Sequence, residues 1–389
     1  MNFKQNLKNL FITLSMGLVC GLVISVFFKS LFWVQNFQAT HSHYILLLPL
    51  VWLILKFTKK MTLYFPVSVS DVYNTNPATY KYWNKFGFIF NFIGSVLSHF
   101  SGASIGREGV AVTLSSTLAQ VIGLDWAYWR SIVVSASFGI ATGSPLIAVA
   151  FLFEVFISSA DQKILTLAMS WVGSLVLQSY QMPHLLKPFF VLDVNPASEK
   201  LIFIFCAGAI IGLLSRFYKT SFFIFKKYFD KSSIVFTVVV IFLVSIILYQ
   251  PQFKDIHSLS LAQFQLVQTG LILPEFVFYK ILFTLFFVSV GFWGGDFVPS
   301  VLIGSGLGVI LAKYFSIDPM FGLMVGSFSF FCGLTRLKWT ALFLTLMLVG
   351  WHQIIWVYLF LTVCNWFSGT DSLYTTEPSM EKFFWTKFF

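Results

Sequence analysis

The chain has 389 residues, of which 57% are hydrophobic and only 10% charged, with a formal net charge of +10. At a mean hydropathy of +0.82 it carries too little charged surface to cover a soluble globule of this size, so a soluble protein is excluded and a polytopic membrane protein is predicted. The positive balance does not mark a nucleic-acid partner, because Lys and Arg fall in short clusters between apolar runs and never form a long basic stripe.

Lys4 and Lys8 precede a first apolar run at about 10–28. It is too long for a signal peptide and lacks a small-residue cleavage site, so it is read as a retained transmembrane helix. Further apolar segments near 44–57, 86–100, 110–122, 131–140, 145–159, 164–179, 201–215, 234–249, 276–292, 298–313, 318–332, 339–350 and 353–367 predict an all-α chain. Several are shorter than the ~20 residues a perpendicular span needs, and many are broken by Gly or Pro. Non-helical backbone at membrane depth survives only where protein or a water-filled cavity satisfies it, so this irregularity points to a transport path. Lys56, Lys59 and Lys60 are predicted to form one basic loop, and Arg216, Lys219, Lys226, Lys227 and Lys231 another. The positive-inside rule places both loops and the N-terminus in the cytoplasm.

Cysteine and histidine carry little chemistry here. Cys20, Cys206, Cys332 and Cys364 lie far apart in apolar segments, none with metal-ligand spacing, and read as small buried hydrophobes. His41 and His43 fall between two apolar runs, where water is the expected neighbour, and no metal site or cofactor is expected.

Charge within the apolar runs is the stronger signal. Ser101-Gly-Ala-Ser-Ile-Gly-Arg-Glu-Gly109 puts Arg107 and Glu108 between long apolar stretches, where charge is costly and therefore functional by default. The small residues let backbone approach closely, and Gly109 lies where a helix should begin. Helix N-termini bind anions, because their first N–H groups point outward at the positive end of the macrodipole. Some thirty residues later Phe138-Gly-Ile-Ala-Thr-Gly-Ser-Pro145 runs into an apolar helix ending at Glu154. A second copy of this pattern emerges when Gly106 to Ala119 is set against Gly295 to Gly308: both begin with a glycine-preceded helix start and continue with small residues. Thr142-Gly-Ser-Pro145 and Thr335-Arg-Leu-Lys338 follow at similar spacing. Two inverted halves, about 1–190 and 195–389, would meet where Pro183, Pro188 and Pro196 cluster, within a single transmembrane domain.

On these residues the chain resembles the CLC family of anion channels and proton-coupled anion antiporters. The likeness rests on Gly106-Arg-Glu-Gly109, on Gly143-Ser-Pro-Leu146 running into Phe151-Leu-Phe-Glu154, on Gly294-Gly-Asp-Phe-Val-Pro299 and, more weakly, on Leu334-Thr-Arg-Leu-Lys-Trp-Thr340. It implies an all-α fold of two inverted halves with broken, tilted helices, in a homodimer whose subunits each have an anion pathway. The dimer contact is expected at 145–179 and 339–367. Glu108 falls on the family's gating glutamate: ionised, it occupies an anion site, and protonated it swings away, so that anion and proton compete for one position. The bland alternative is a carboxylate that caps its helix and pairs with Arg107. Arg107 and Gly109 belong to the same helix start, an expected anion site. The backbone N–H groups of Asp296 and Phe297 correspond to those lining the central anion site. Tyr374 resembles the family's anion-coordinating tyrosine, or is an interfacial aromatic. Ser68, in Pro66-Val-Ser-Val-Ser-Asp71, is the candidate for the family's serine-bearing helix start, although the usual glycines are missing.

Departures from the pattern bear on mechanism. Val110 stands where proline usually follows Gly-Arg-Glu-Gly, and Val155 where chloride antiporters carry a second, inner glutamate. Together with Asp296, the non-proline at Val110 resembles the fluoride/proton branch, whereas Tyr374 as a ligand argues for chloride. Asp296 is otherwise read as an ion-pair partner of a Lys or Arg. Lys338 replaces a proline and adds positive potential near an anion path. The expected activity is transport of chloride or fluoride, as halide/proton antiport or, alternatively, as a passive channel. A membrane-embedded enzyme would need clustered His, Asp or Glu, and Glu108, Glu154 and Asp296 are dispersed. The resemblance further implies an inner-membrane location with both termini cytoplasmic, and no appended nucleotide-binding domain before Phe389.

Overall fold

In lipid a backbone N–H or C=O finds no water, so apolar segments of this kind satisfy themselves as helices. The computed structural model describes residues 3–41, 43–61, 65–180, 188, 189, 191 and 197–374. In chain order its α-helices are α1 (Phe3–Thr40), α2 (Leu48–Met61), α3 (Val69–Asn74), α4 (Pro77–Tyr80), α5 (Gly87–Phe100), α6 (Glu108–Ile122), α7 (Trp126–Thr142), α8 (Pro145–Val155) and α9 (Ala160–Ser179). They continue with α10 (Ala197–Lys231), α11 (Ile234–Tyr249), α12 (Leu261–Gln268), α13 (Pro274–Val290), α14 (Phe297–Tyr314), α15 (Pro319–Gly326), α16 (Ser329–Thr335), α17 (Lys338–Val349) and α18 (Ile354–Phe367). Three of them, α1, α10 and α14, are long and apolar enough to cross a membrane.

The described residues form two compact units. One holds α1 to α9 together with Trp293–Gly295, and the other holds Ala103–Ile105 and α10 to α18. In the first unit α1 lies along α9, and small residues set how closely they approach: a Cβ at Gly17 would meet Met169 O at 2.6 Å, and one at Gly21 would meet Gly173 O at 2.7 Å. The second unit packs α10 on α18 in the same way, with Gly208 against Val363 and Gly212 against the Cys364 carbonyl. Lipid tails are as apolar as leucine, so close van der Waals packing of small residues has to hold such helices together.

Helix ends explain the short segments. Gly143, at φ +77°, stops α7, and Pro145 then opens α8 at a position whose missing N–H is not needed. Gly123 (φ +79°) ends α6, and Asp125 caps α7 by accepting from the Ala127 N–H.

The apolar segments are found close to where the sequence puts them, but the two basic stretches are not loops. Lys56, Lys59 and Lys60 lie on α2, and Arg216, Lys219, Lys226, Lys227 and Lys231 all lie on α10, which runs for 35 residues. Lys and Arg are strong helix formers, so charge ends the apolar window without ending the helix. Lys219 is moreover buried, at 2% exposure. The predicted junction residues Pro183 and Pro196 lie outside the described residues.

Another close crossing joins α14 and α15, where a Cβ at Gly308 would meet Gly322 O at 2.1 Å. Gly304 and Gly308 face Gly326 and Gly322, and a Cβ at Gly326 would meet Gly304 O at 2.6 Å. We expect Gly308→Leu to lower the thermal unfolding midpoint in detergent, since overpacking costs about 1–3 kcal/mol or more where the neighbour is backbone. Leucine at the exposed Leu282 position exchanged for alanine serves as the control, and an equal effect from both variants counts against the crossing being so tight.

Candidate functional site

In the first unit, the glycines around Arg107 and Glu108 hold two stretches of backbone together. Gly106 donates its N–H to Gly295 O, and Gly295 donates back to Gly106 O at 2.8 Å, forming an isolated antiparallel bridge. A side chain would crowd this approach: a Cβ on Gly295 would lie 3.1 Å from Gly109 N, and one on Gly109 would lie 3.3 Å from Gly295 Cα and from Val69 Cγ2. The helix α6 begins at Glu108 with Arg107 as its N-cap, and the first intrahelical bond runs from Ala111 N–H to Arg107 O at 3.2 Å. The amides of Glu108, Gly109 and Val110 therefore precede the helical ladder, at its positive end.

Arg107 and Glu108 form an ion pair, Nε to Oε1, at 3.2 Å, with side chains 6% and 1% exposed. The guanidinium lies 4.0 Å from the centre of the Phe28 ring, which supplies a cation–π contact on its other face. Glu108 Oε2 is buried and has no hydrogen-bond partner among the described residues. A carboxylate so placed is only half satisfied. It gains by taking up a proton or by exchanging its position for another anion.

Ser68 is the N-cap of α3. Its hydroxyl oxygen accepts from Asp71 N–H at 3.1 Å, and Asp71 Oδ2 accepts in return from the N–H groups of Val67 and Ser68. Asn91 steadies this start by donating to Pro66 O at 3.2 Å and to the Thr113 hydroxyl of α6 at 2.7 Å. The Ser68 oxygen is thus used as an acceptor while its proton stays available to donate. Val69, one residue on, is the residue that closes on Gly109.

The second unit holds the other candidate residues. Asp296 is the N-cap of α14, and the first intrahelical bond there is Ser300 N–H to Asp296 O at 2.9 Å. Phe297 is 2% exposed. Its ring meets Phe331 edge-on at 4.9 Å. The Tyr374 hydroxyl donates to Asp296 Oδ1 at 3.2 Å, so Asp296 meets a tyrosine where an ion pair with Lys or Arg was the alternative. The two residues that argue for different halides in the sequence are hydrogen-bonded to each other.

Four contacts put Tyr374 in place. Leu373 N–H donates to Leu334 O at 3.0 Å, and the Ser372 hydroxyl donates to Thr335 O at 2.9 Å, fixing the segment on the end of α16. Lys219 donates from Nζ to Asp371 O at 2.6 Å. Arg336, itself in the left-handed region at φ +68°, donates to Gly369 O at 2.5 Å and also to Asn365 O. Sequence reasoning missed these supports: Lys219 reads as a loop cation, and Arg336 as part of a motif, although each is a donor that the chain turns inward. Lys338 opens α17 and lies 4.8 Å from the centre of the Tyr358 ring, a local contact that accounts for where its charge goes. No group of three or more His, Cys, Asp or Glu suited to a metal ion occurs among the described residues.

A family model described as voltage gated chloride channel matches residues 68–369. No curated protein sequence matches the chain. Among solved structures, a CLC-type fluoride/proton antiporter is similar at a TM-score of 0.82 and 19% identity, over 96% of this chain and 98% of that one. A slow cyanobacterial Cl−/H+ antiporter is similar at 0.78 and 16% identity, over 92% and 94%. A eukaryotic CLC transporter is similar at 0.72 and 15% identity, over 96% of this chain and 74% of that one. The chain therefore has the CLC-type fold.

If Lys219 holds the Tyr374 segment, Lys219→Met should raise amide hydrogen exchange across 369–374 by about ten-fold or more, the scale of one lost hydrogen bond to a charged donor. Unchanged exchange would show that the other three contacts suffice.

Proposed function

The chain belongs to the voltage gated chloride channel family, and on that footing we propose that this multi-pass membrane protein moves chloride or fluoride across the membrane in exchange for protons. The observation that carries the reading is the half-satisfied carboxylate of Glu108, buried at the first turn of α6 with Oε2 unpaired. In this reading the ionised carboxylate competes with a halide for the helix start, where Arg107 and the amide of Gly109 supply positive potential. Protonated, it loses that attraction and yields the position. Ser68 contributes its hydroxyl proton as a further donor. In the second unit the amides of Asp296 and Phe297 offer main-chain donors, which bind a permeating halide without the full charge that would trap it. Tyr374 adds a hydroxyl.

One observation favours the rival reading, a passive channel: Val155, the last residue of α8, is the position at which chloride antiporters carry an inner glutamate. Asp296 supports the antiport reading, since a carboxyl that alternates between ionised and protonated forms could carry the proton that Val155 cannot. The proposal includes a homodimer. Apolar side chains stand exposed on α8 and α9 (Leu146, Phe153, Ile164, Trp171) and on α17 and α18 (Trp339, Met347, Ile355, Trp366), within the two predicted contact stretches. It also includes an inner-membrane location with cytoplasmic termini, supported by Lys4 and Lys8 and by the basic ends of α2 and α10.

Reconstitution into liposomes loaded with chloride or fluoride, followed with an ion electrode and a pH dye, tests the reading. Glu108→Gln mimics the protonated gate and should abolish proton movement while anion movement persists or changes its pH dependence. A variant that still pumps protons with anions would make Glu108 a cap and no more.

Asp296 decides between halides. An ionised carboxylate repels a bound halide by about 1 kcal/mol even in water-like surroundings at contact distance, and by more at lower dielectric. Protonated, it donates a hydrogen bond, from which fluoride gains most. Asp296→Ile should therefore raise chloride permeation relative to fluoride and reduce proton coupling, and unchanged values of both would leave Asp296 a structural residue.

A further inference from the structure

The last turns of α10 and the first turn of α11 line a cavity of about 580 Å³ that the proposed transport cycle leaves unused. Ile224, Lys227, Tyr228 and Lys231 contribute to it from α10, and their spacing puts all four on one face of the helix. Ser232 and Ser233 turn the chain, and Phe236, on the first turn of α11, completes the lining. The Tyr228 ring meets that of Phe236 edge-on at 5.9 Å, so an aromatic contact joins the two helices beside the lysines.

Lys227 and Lys231 are both exposed, and neither ammonium has an ion-pair or hydrogen-bond partner among the described residues. Like charges one turn apart on a helix repel each other. Asp230, the carboxylate next to Lys231 in sequence, pairs with neither and does not line the cavity. An anion set between the two ammonium groups would remove the repulsion. Neutral donors are at hand as well. The Ser233 oxygen accepts from Phe236 N–H at 3.2 Å, which leaves its own proton to donate. The amides of Ile234 and Val235 precede the helical ladder of α11, whose first bond runs from Thr237 N–H to Ser233 O at 3.1 Å. Two cations, a free hydroxyl proton and no carboxylate in the lining suit a phosphate.

The surroundings decide which phosphate. Val235, Val239, Phe242 and Ile246 stand exposed on α11, and their spacing makes them one apolar stripe that starts beside the cavity. In a membrane protein such a stripe meets acyl chains. A soluble phosphate would use the lysines and leave the stripe alone, whereas a phospholipid uses both. We propose that the cavity holds the phosphate of an anionic phospholipid between Lys227 and Lys231, with the Ser233 hydroxyl as a further donor and the acyl chains along the stripe of α11. The site needs the bilayer but no step of the transport cycle.

Native mass spectrometry of the full-length protein, released from a non-ionic detergent, reads the binding directly. Dioctanoyl phosphatidylglycerol should bind about ten-fold more tightly than dioctanoyl phosphatidylcholine, and equal affinities overturn the proposal. Lys227→Gln combined with Lys231→Gln should weaken phosphatidylglycerol by about ten-fold or more and phosphatidylcholine by less than about two-fold. Lys59→Gln combined with Lys60→Gln removes the same charge from the exposed basic end of α2, and it should change phosphatidylglycerol by less than about two-fold. Equal losses from the two pairs would reduce the effect to general attraction by a basic surface and sink the site. Inorganic phosphate in about ten-fold excess should leave the bound phosphatidylglycerol in place. Displacement of the lipid would assign the cavity to a soluble phosphate and overturn the phospholipid as its occupant.

Discussion

Backbone that leaves the helix in apolar surroundings has to find its hydrogen bonds within the chain, and the reciprocal bond between Gly106 and Gly295 is where this protein does so. The glycines at 109 and 295 fit it, since a Cβ on either would press on the facing backbone or on Val69. So does the placement of Arg107 and Glu108. With the chain pinned at Gly106, the next residue becomes the N-cap, and the first helical residue is the glutamate. A helix start facing inward is costly unless something negative attends its amides. Here the chain supplies a carboxylate that is bound on one oxygen only.

Buried charges in this molecule differ in how fully their hydrogen bonds are made. Lys280, at 0% exposure, donates to Ile256 O, Ser258 O and the Ser260 hydroxyl, all within 3.1 Å. Its three protons have three acceptors, so it acts as a fastener for the segment before α12. Lys219 and Arg336 also donate to backbone oxygens that fix the segment carrying Tyr374, without the full set of acceptors that Lys280 has. The buried carboxylates differ. Among the described residues Glu108 has an arginine on one oxygen and no hydrogen-bond partner on the other, and Asp296 accepts from the Tyr374 hydroxyl. A charge whose hydrogen bonds are complete resists change, whereas one with an open position can exchange partners at little cost.

Much of the architecture was legible because lipid imposes few solutions on an apolar segment. The run at 234–249 is α11 to the residue, and the run at 86–100 differs from α5 by one position. The start of α6 could be located from its glycines and its two charges. What the sequence did not show depends on contacts between distant positions or on helix outside the apolar window. The basic end of α10 is helical because nothing in it breaks a helix, yet hydropathy alone ends the segment near 215. The short α3, α4 and α12 lack an apolar run altogether. Asp296 and Tyr374 are 78 positions apart, so no local pattern could pair them.

Pairing Asp296 with Tyr374 also changes what their chemistry means. Taken singly, an acidic residue at the start of α14 and a tyrosine near the end of the described chain point to different halides. Joined by a hydrogen bond, they share one proton, and on the proposed reading a halide arriving at that helix start becomes a third claimant. Chloride, large and weakly hydrogen-bonding, has little with which to draw the tyrosine proton from a carboxylate. Fluoride has more, and a protonated Asp296 would reverse the direction of donation altogether. On the proposed reading, selectivity and proton coupling cease to be separate properties of separate residues, because both turn on which oxygen of this small group holds the proton when the anion arrives.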